Sequence, residues 1–116
     1  MRTISSGNLY EMILKGDPVT VVDVLDEETF RKSHLRGAIN IPFGDTFEAD
    51  VHRQIPDLSE PVVVYCMDTS CPFSADAARK LESYGYRNVT HYPGGRADWM
   101  EAGLPVEGLG EADQPN

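Results

Sequence analysis

The sequence feature that most constrains the fold is the run Val62-Val63-Val64-Tyr65-Cys66-Met67, which is apolar throughout and rich in β-branched residues. The run has the length of a strand, is too short to span a bilayer and has no polar face to turn toward water. It therefore predicts a strand buried on both faces, as in a sheet covered by helices. Residues 19–24 show the same pattern and predict a second strand of that sheet.

Helical and strand patterns alternate along the rest of the chain. We predict helices over 8–16, 26–32, 72–84 and 97–102, the first capped by Asn8 and closed by Gly16. Strands are predicted over 19–24, 38–41, 61–65 and 88–92. Residues 44–55 are ambiguous, and the one-turn spacing of Phe47 and Val51 favours a helix. The alternation predicts an α/β fold: a small, mostly parallel central sheet of about five strands, flanked by helices on both faces.

Length and charge narrow the class of protein. A chain of 116 residues fits a single domain, which we place at 1–106, followed by an acidic, loosely packed tail at 107–116. The net charge of −9 argues against nucleic acid and anionic membranes as partners. The first residues lack the apolar stretch of a secretory signal, so we expect a cytoplasmic protein. The sequence leaves the oligomeric state open.

Cys66 is the candidate catalytic residue. It ends the strongest strand, and ligands of open α/β sheets bind at the carboxyl ends of the strands. The residues of the following loop are Met67, Asp68, Thr69, Ser70, Cys71, Pro72 and Phe73. Backbone amides in such a loop and the N-terminus of the next helix both favour an anion, so we expect Cys66 to be a reactive thiolate. The alternative is a small hydrophobic residue buried at the end of a strand.

Cys71 lies five residues after Cys66 in the same loop. If the two sulfurs meet, Cys71 can resolve an oxidised Cys66 into a disulfide. That geometry requires Cα atoms less than about 7 Å apart. The alternative is a small residue that packs the loop. We predict no metal site, because two cysteines at this spacing without a nearby histidine pair are a weak zinc signal.

Six segments in order resemble the landmarks of single-domain rhodaneses, over about residues 4–105. They are 21–24, 34–42 (with Ser33 in place of the motif's first glycine), 63–66, 74–81, 85–89 and 94–99. The resemblance implies a rhodanese-like sulfurtransferase that needs no cofactor. In that family the cysteine, here Cys66, takes the outer sulfur of a small donor such as thiosulfate and keeps it as a persulfide. A thiol, cyanide or a protein then accepts the sulfur.

The loop departs from the pattern of that family in charge and length. Sulfurtransferase members commonly carry Arg or Lys in the loop, whereas residues 67–73 contain no cation and Asp68 adds a negative charge. Leu25 stands where many relatives have an arginine. These changes disfavour thiosulfate as the donor, since like charges repel. The longer loop resembles that of rhodanese-like phosphatases, but Pro72 or Phe73 occupies the place of their phosphate-binding arginine, which disfavours phosphatase or arsenate-reductase activity.

Three further residues are candidates for substrate binding or for support of the site. Asp23 ends a buried strand and either bonds nearby loop amides or takes part in the chemistry. His34 is a local acid or base, or packs and caps a turn. Arg96 follows two glycines at the active end of the sheet and is the candidate replacement for the loop cation, or a surface arginine. The alternative to an enzyme is a catalytically weak binding or redox-sensing module that uses Cys66 and Cys71.

Overall fold

The structure, a computed structural model, describes residues 1–109 and contains one five-stranded parallel sheet. Its strands are β1 Arg2–Thr3, β2 Thr20–Asp23, β4 Ile39–Asn40, β5 Val62–Tyr65 and β6 Val89–Tyr92. Their order across the sheet is β1-β6-β5-β2-β4, and every neighbouring pair is parallel. The predicted α/β class and mostly parallel sheet of about five strands are confirmed. Of the five strands of this sheet, the sequence pattern missed β1, which is two exposed residues long and carries no apolar signal.

Within residues 1–109, five helices flank the sheets, all of them close to predicted segments. They are α1 Ser6–Lys15, α2 Glu27–Lys32, α3 Phe47–Gln54, α4 Phe73–Ser83 and α5 Gly95–Glu101. The N-cap predicted for α1 is wrong: Ser5 caps this helix, and Asn8 donates its backbone N–H to the Ser5 hydroxyl at 3.2 Å. Gly16 closes α1 in the left-handed region as predicted, with φ of 74°. The ambiguous stretch 44–55 contains α3, as Phe47 and Val51 indicated, and both side chains are buried.

The sheet separates two apolar layers. Val62, Val64 and Cys66 pack on one side with residues of α3 and α4. Val63 and Tyr65 pack on the other side with Leu9 of α1 and Trp99 of α5. Successive residues of a strand point to opposite faces, so Tyr65 and Cys66 are neighbours in sequence but face different layers.

A second, two-stranded antiparallel sheet joins the end of α2 to the end of the described chain. Its strands are β3 His34–Leu35 and β7 Val106–Glu107. Because Glu107 pairs with His34, regular hydrogen bonding extends one residue past the domain boundary predicted at 106. Residues 110–116 of the predicted tail lie outside the described residues.

Candidate active site

Cys66 lies directly after β5, at the carboxyl edge of the parallel sheet. Its side chain is fully buried and belongs to the apolar layer that includes Ala77 and Ala78 of α4. Leu25 and Phe43, which follow β2 and β4 at the same edge, are partly buried and pack against this layer. The surroundings of Cys66 are therefore apolar, which fits neither a free surface thiol nor a metal ligand.

The first turn of α5 holds the start of the cysteine loop. The backbone N–H of Arg96 donates to the carbonyl oxygen of Cys66 at 3.0 Å, and that of Ala97 donates to the carbonyl oxygen of Met67 at 2.8 Å. Gly95 makes this approach possible, since a Cβ there would lie 2.7 Å from the Cys66 carbonyl oxygen. Gly95 also has a φ of +69°, which residues with a side chain rarely adopt.

Asp68 shapes the middle of the loop. One oxygen of its carboxylate accepts the backbone N–H of Ser70 at 3.0 Å and the Ser70 hydroxyl at 2.8 Å. Its carbonyl oxygen accepts the backbone N–H of Cys71 at 3.2 Å. These bonds close a turn that directs the chain back toward Cys66. Asp68, which the sequence indicated only as an unfavourable charge, therefore also has a local structural role.

The turn brings the two cysteines together. Cys66 and Cys71 form a disulfide, with their Cα atoms 6.3 Å apart, inside the range such a bond allows. The two residues differ in exposure: Cys66 is fully buried, whereas Cys71 is partly exposed. Of the two residues, Cys71 is therefore the one in contact with solvent.

The loop offers backbone amides rather than side-chain cations. Within residues 1–109, the amides of Met67, Asp68 and Thr69 donate to no protein acceptor. Helix α4 begins immediately after Pro72, and no side chain caps its N-terminus. The backbone N–H groups of its first turn therefore have no capping side chain as acceptor. Residues 66–73 contain no Arg or Lys, so the loop offers an anion its backbone amides, the hydroxyl of Thr69 and the N-terminus of α4.

Arg96 lies beside the loop but is held largely by other partners. Its Nη1 donates to the carbonyl oxygens of Thr29 and Ser33, at 3.2 and 2.7 Å. Its Nη2 donates to the Met67 sulfur at 3.2 Å. The guanidinium thus ties the end of α2 to the first residue of the loop, and a substrate role for it stays a prediction.

Asp23 lies on the face of the sheet opposite to Cys66. It is fully buried at the end of β2, where its carboxylate accepts the Tyr65 hydroxyl at 2.6 Å and the backbone N–H of Leu25 at 2.8 Å. Burial raises the pKa of Asp23, and the two hydrogen bonds and the charge of Arg96 oppose that rise. The Tyr65 hydroxyl in turn accepts the backbone N–H of Leu35. Asp23 therefore supports the strand that carries Cys66 and does not contact the cysteine itself.

His34 packs between α2 and β7. Its ring stacks on Phe30 with centroids 3.7 Å apart, and its Nδ1 lies 2.7 Å from the carbonyl oxygen of Phe30. Because a carbonyl only accepts, Nδ1 carries a proton. Its Nε2 lies 3.7 Å from a carboxylate oxygen of Glu107. These contacts match the packing and capping alternative, and an acid or base role is left as a prediction.

A contact between Ser74 and His91 holds the end of the cysteine loop, and the sequence did not indicate it. Ser74, in the first turn of α4, is buried, and its hydroxyl lies 2.8 Å from Nε2 of His91 on β6. Burial lowers the pKa of His91, and the nearby Arg79 adds to the effect, so the ring is neutral at pH 7. The alternating pattern of β6 showed only that residue 91 lies in a strand, because the pairing with Ser74 depends on how α4 packs.

Within residues 1–109, no group of three or more His, Cys, Asp or Glu side chains is placed to hold a metal ion. None of the helices in that part of the chain is long and apolar enough to cross a membrane.

Substituting Gly95 tests the docking of α5 on the loop. Gly37→Ala is the matched control, since Gly37 also has positive φ (+84°) but has open space around its Cβ position. We expect Gly37→Ala to lower the free energy of unfolding by about 1–2 kcal/mol. Gly95→Ala should cost about 1–3 kcal/mol more, because it also forces the Cys66 carbonyl to move. Urea denaturation measures both values, and equal losses would contradict the docking role of Gly95.

The burial of Asp23 predicts a pH dependence of stability. Its pKa in the folded chain lies above the ordinary 3.8, so the folded state binds the proton more tightly than the unfolded state. The stability that this proton contributes is present below pH 3.8 and is lost as pH rises through the raised pKa. The free energy of unfolding of the wild type, minus that of Asp23→Asn, should therefore decrease as pH rises from 3.8 toward neutrality. Urea titrations of both proteins across that pH interval measure this difference in the free energy of unfolding. A difference that stayed constant or increased with pH would contradict the raised pKa of Asp23.

Comparisons with known proteins agree with this geometry. The family described as "Rhodanese-like domain" matches residues 5–102. The chain is 29% identical to the thiosulfate:glutathione sulfurtransferase of Saccharomyces cerevisiae, over 89% of this chain and 81% of that protein. It is 35% identical to the HTH-type transcriptional regulator Rv0324 of Mycobacterium tuberculosis, over 77% of this chain but only 38% of the regulator.

Among solved structures, the rhodanese-like domain of the Anabaena protein Alr3790 superposes with a TM-score of 0.85 at 26% identity. That match covers 100% of this chain and 86% of the Anabaena domain. The family match over most of the chain and the shared fold lead to one conclusion: this chain belongs to the rhodanese-like domain family.

Proposed function

We propose that the chain is a sulfurtransferase that carries sulfur as a persulfide on Cys66. One observation carries the proposal: a cysteine stands at a strand-to-helix turn whose amides at Met67, Asp68 and Thr69 have no acceptor within residues 1–109. A persulfide places its negative charge on the outer sulfur, and unpaired amides are the donors that such a charge needs. The sulfurtransferase name of the yeast relative supports the same activity.

The proposed reaction has two displacements. The Cys66 thiolate attacks the outer sulfur of a donor, and the rest of the donor leaves with the electron pair of the broken bond. A thiol, cyanide or a protein nucleophile then attacks the outer sulfur of the persulfide, and Cys66 leaves again as a thiolate. Backbone N–H groups that are free to bond the outer sulfur would lower the barrier of both steps, because they are held in place by the loop before charge moves onto sulfur.

The donor class follows from what surrounds the loop. Residues 66–73 contain no cation, and Leu25 and Phe43 provide apolar surface at the same edge of the sheet. A thiosulfate dianion gains little from such surroundings, whereas a donor of low charge loses less hydration on entering. We therefore propose a persulfide donor, whose reacting sulfur group carries at most one negative charge, in preference to thiosulfate, whose reacting group carries two. The reaction needs reduced thiols, which the cytoplasm maintains, and we place it there.

A redox-sensing or binding module is the second candidate. The Cys66–Cys71 disulfide favours it, since the bond removes the nucleophile and can report an oxidising environment. The transcriptional regulator among the relatives is also consistent with a domain that works within a larger protein. A module of this kind would form the disulfide but would transfer no sulfur.

Mass spectrometry of the reduced protein separates the two candidates. After incubation with glutathione persulfide, and separately with thiosulfate, the proposal predicts one added sulfur on Cys66, with the persulfide donor the more effective. Cys71→Ser should still acquire the sulfur, whereas Cys66→Ser should not. Because Cys71→Ser cannot form the internal disulfide, it is also the form in which the adduct should last longest.

The controls make the outcome decisive. Circular dichroism checks that both serine variants remain folded. Because Cys66→Ser buries a hydroxyl in an apolar layer, Cys66→Ala is run beside it as an apolar control. No added sulfur in Cys71→Ser with either donor would contradict the sulfurtransferase and leave the redox or binding module. Equal or better loading from thiosulfate would contradict the proposed donor class.

A further inference from the structure

The loop holds its second cysteine where it can act on the first. The turn closed by Asp68 and Ser70 places Cys71 in a disulfide with Cys66, with Cα atoms 6.3 Å apart. The proposed persulfide reaction does not use Cys71. A thiol held this close to a persulfide is nevertheless an intramolecular nucleophile for it.

We infer that Cys71 is the resolving thiol of the reaction and that the loop releases the carried sulfur as hydrosulfide. This inference rests on the proposed persulfide on Cys66. The Cys71 sulfur attacks the inner sulfur of the persulfide, Sγ of Cys66, and a new Sγ–Sγ bond forms. The bond between the inner and outer sulfurs breaks, and the outer sulfur leaves with that electron pair and the proton of Cys71 as HS⁻. The product on the protein is the Cys66–Cys71 disulfide, which is the bond that the structure contains.

The disulfide must then be reduced before Cys66 can accept another sulfur. Two electrons are required, and a dithiol supplies them while it becomes a disulfide itself. The class of reaction that must follow sulfur release is therefore thiol–disulfide exchange with a dithiol reductant. Sulfur donor and dithiol would both be substrates, and hydrosulfide would be the product.

The burial of the two sulfurs sets the direction of that exchange. Cys66 is fully buried and Cys71 is partly exposed, so the reductant reaches the Cys71 sulfur. Attack there forms a mixed disulfide on Cys71 and expels Cys66 as a thiolate. The second thiol of the reductant then attacks the reductant's sulfur in the mixed disulfide. This step closes the reductant's own disulfide and frees Cys71. Cys66 is thus regenerated in the ionised state that it needs for the next donor.

A single-turnover experiment tests the resolving step. The protein is reduced, freed of reductant and mixed with one equivalent of glutathione persulfide. Hydrosulfide is followed with a sulfide electrode, and the protein by intact mass and non-reducing peptide mapping. We expect the wild type to release hydrosulfide and form the Cys66–Cys71 disulfide. Cys71→Ser and Cys71→Ala should keep the sulfur on Cys66 and release hydrosulfide at least about 10-fold more slowly, since they lack the tethered thiol.

The outcomes of this experiment distinguish failure of the resolving role from failure of the persulfide proposal. Suppose that Cys71→Ser carries the added sulfur and that the wild type also keeps a stable persulfide, with Cys71 still a free thiol. This result would overturn the resolving role and leave the persulfide proposal intact. Equal hydrosulfide release from wild type and both Cys71 variants would do the same. No sulfur on Cys66 in any of the three proteins would overturn the persulfide proposal and with it this inference.

The direction of reduction has its own readout in the same protein. Oxidised wild type is treated with glutathione, a monothiol, while iodoacetamide traps any thiol that is released. Peptide mapping should find glutathione on Cys71 and the alkyl group on Cys66. The reverse placement would contradict attack at the exposed sulfur.

Discussion

The docking of α5 on the cysteine loop is the interaction on which the rest of the site depends. Two backbone hydrogen bonds, from Arg96 and Ala97 to the carbonyls of Cys66 and Met67, fix where the loop leaves the sheet. Gly95 permits this contact because it has no Cβ to strike the Cys66 carbonyl. With these carbonyls engaged by α5, the amides of the next residues remain available to an anion in the loop. One helix-to-loop contact thus sets the position of Cys66 and of the start of the loop.

The remaining parts of the site are arranged around that fixed point. On one face of the sheet, the buried Asp23–Tyr65 pair anchors the end of β5 to β2. On the other face, Ser74 and the neutral His91 join the start of α4 to β6. Arg96 extends from the docked helix to the end of α2. The loop between these anchors contains no Arg or Lys.

The sequence predicted the parts of this molecule that local patterns encode. Uninterrupted β-branched runs marked β2 and β5, and helical spacing marked α3 and α4, so the parallel sheet and the place of Cys66 at its carboxyl edge could be inferred. Strand β1 and the β3–β7 pair could not, because each strand is only two residues long and exists through pairing with distant residues. The nearest sequence signal for the docking of α5 was the Gly94-Gly95 pair, which indicated a turn but not what would pack against it.

The same limit applies to the roles of individual side chains. Asp23 was recognisable as a buried acid, but its partner Tyr65 lies 42 residues away, and only the strand register brings the two together. Arg96 was a candidate replacement for the loop cation, with a surface arginine as the alternative. The carbonyls of Thr29 and Ser33 that hold it come from a helix end distant in sequence. The loop charge, in contrast, could be read directly, because it depends on composition alone.

The central claim is that backbone amides, in place of a side-chain cation, hold the sulfur that Cys66 carries. The most direct measurement is a crystal structure of Cys71→Ser after loading with glutathione persulfide. We expect the outer sulfur to lie within hydrogen-bond distance of at least two of the amides of Met67, Asp68 and Thr69. An outer sulfur turned away from these amides, or bound instead by an Arg96 guanidinium released from Thr29 and Ser33, would contradict that claim.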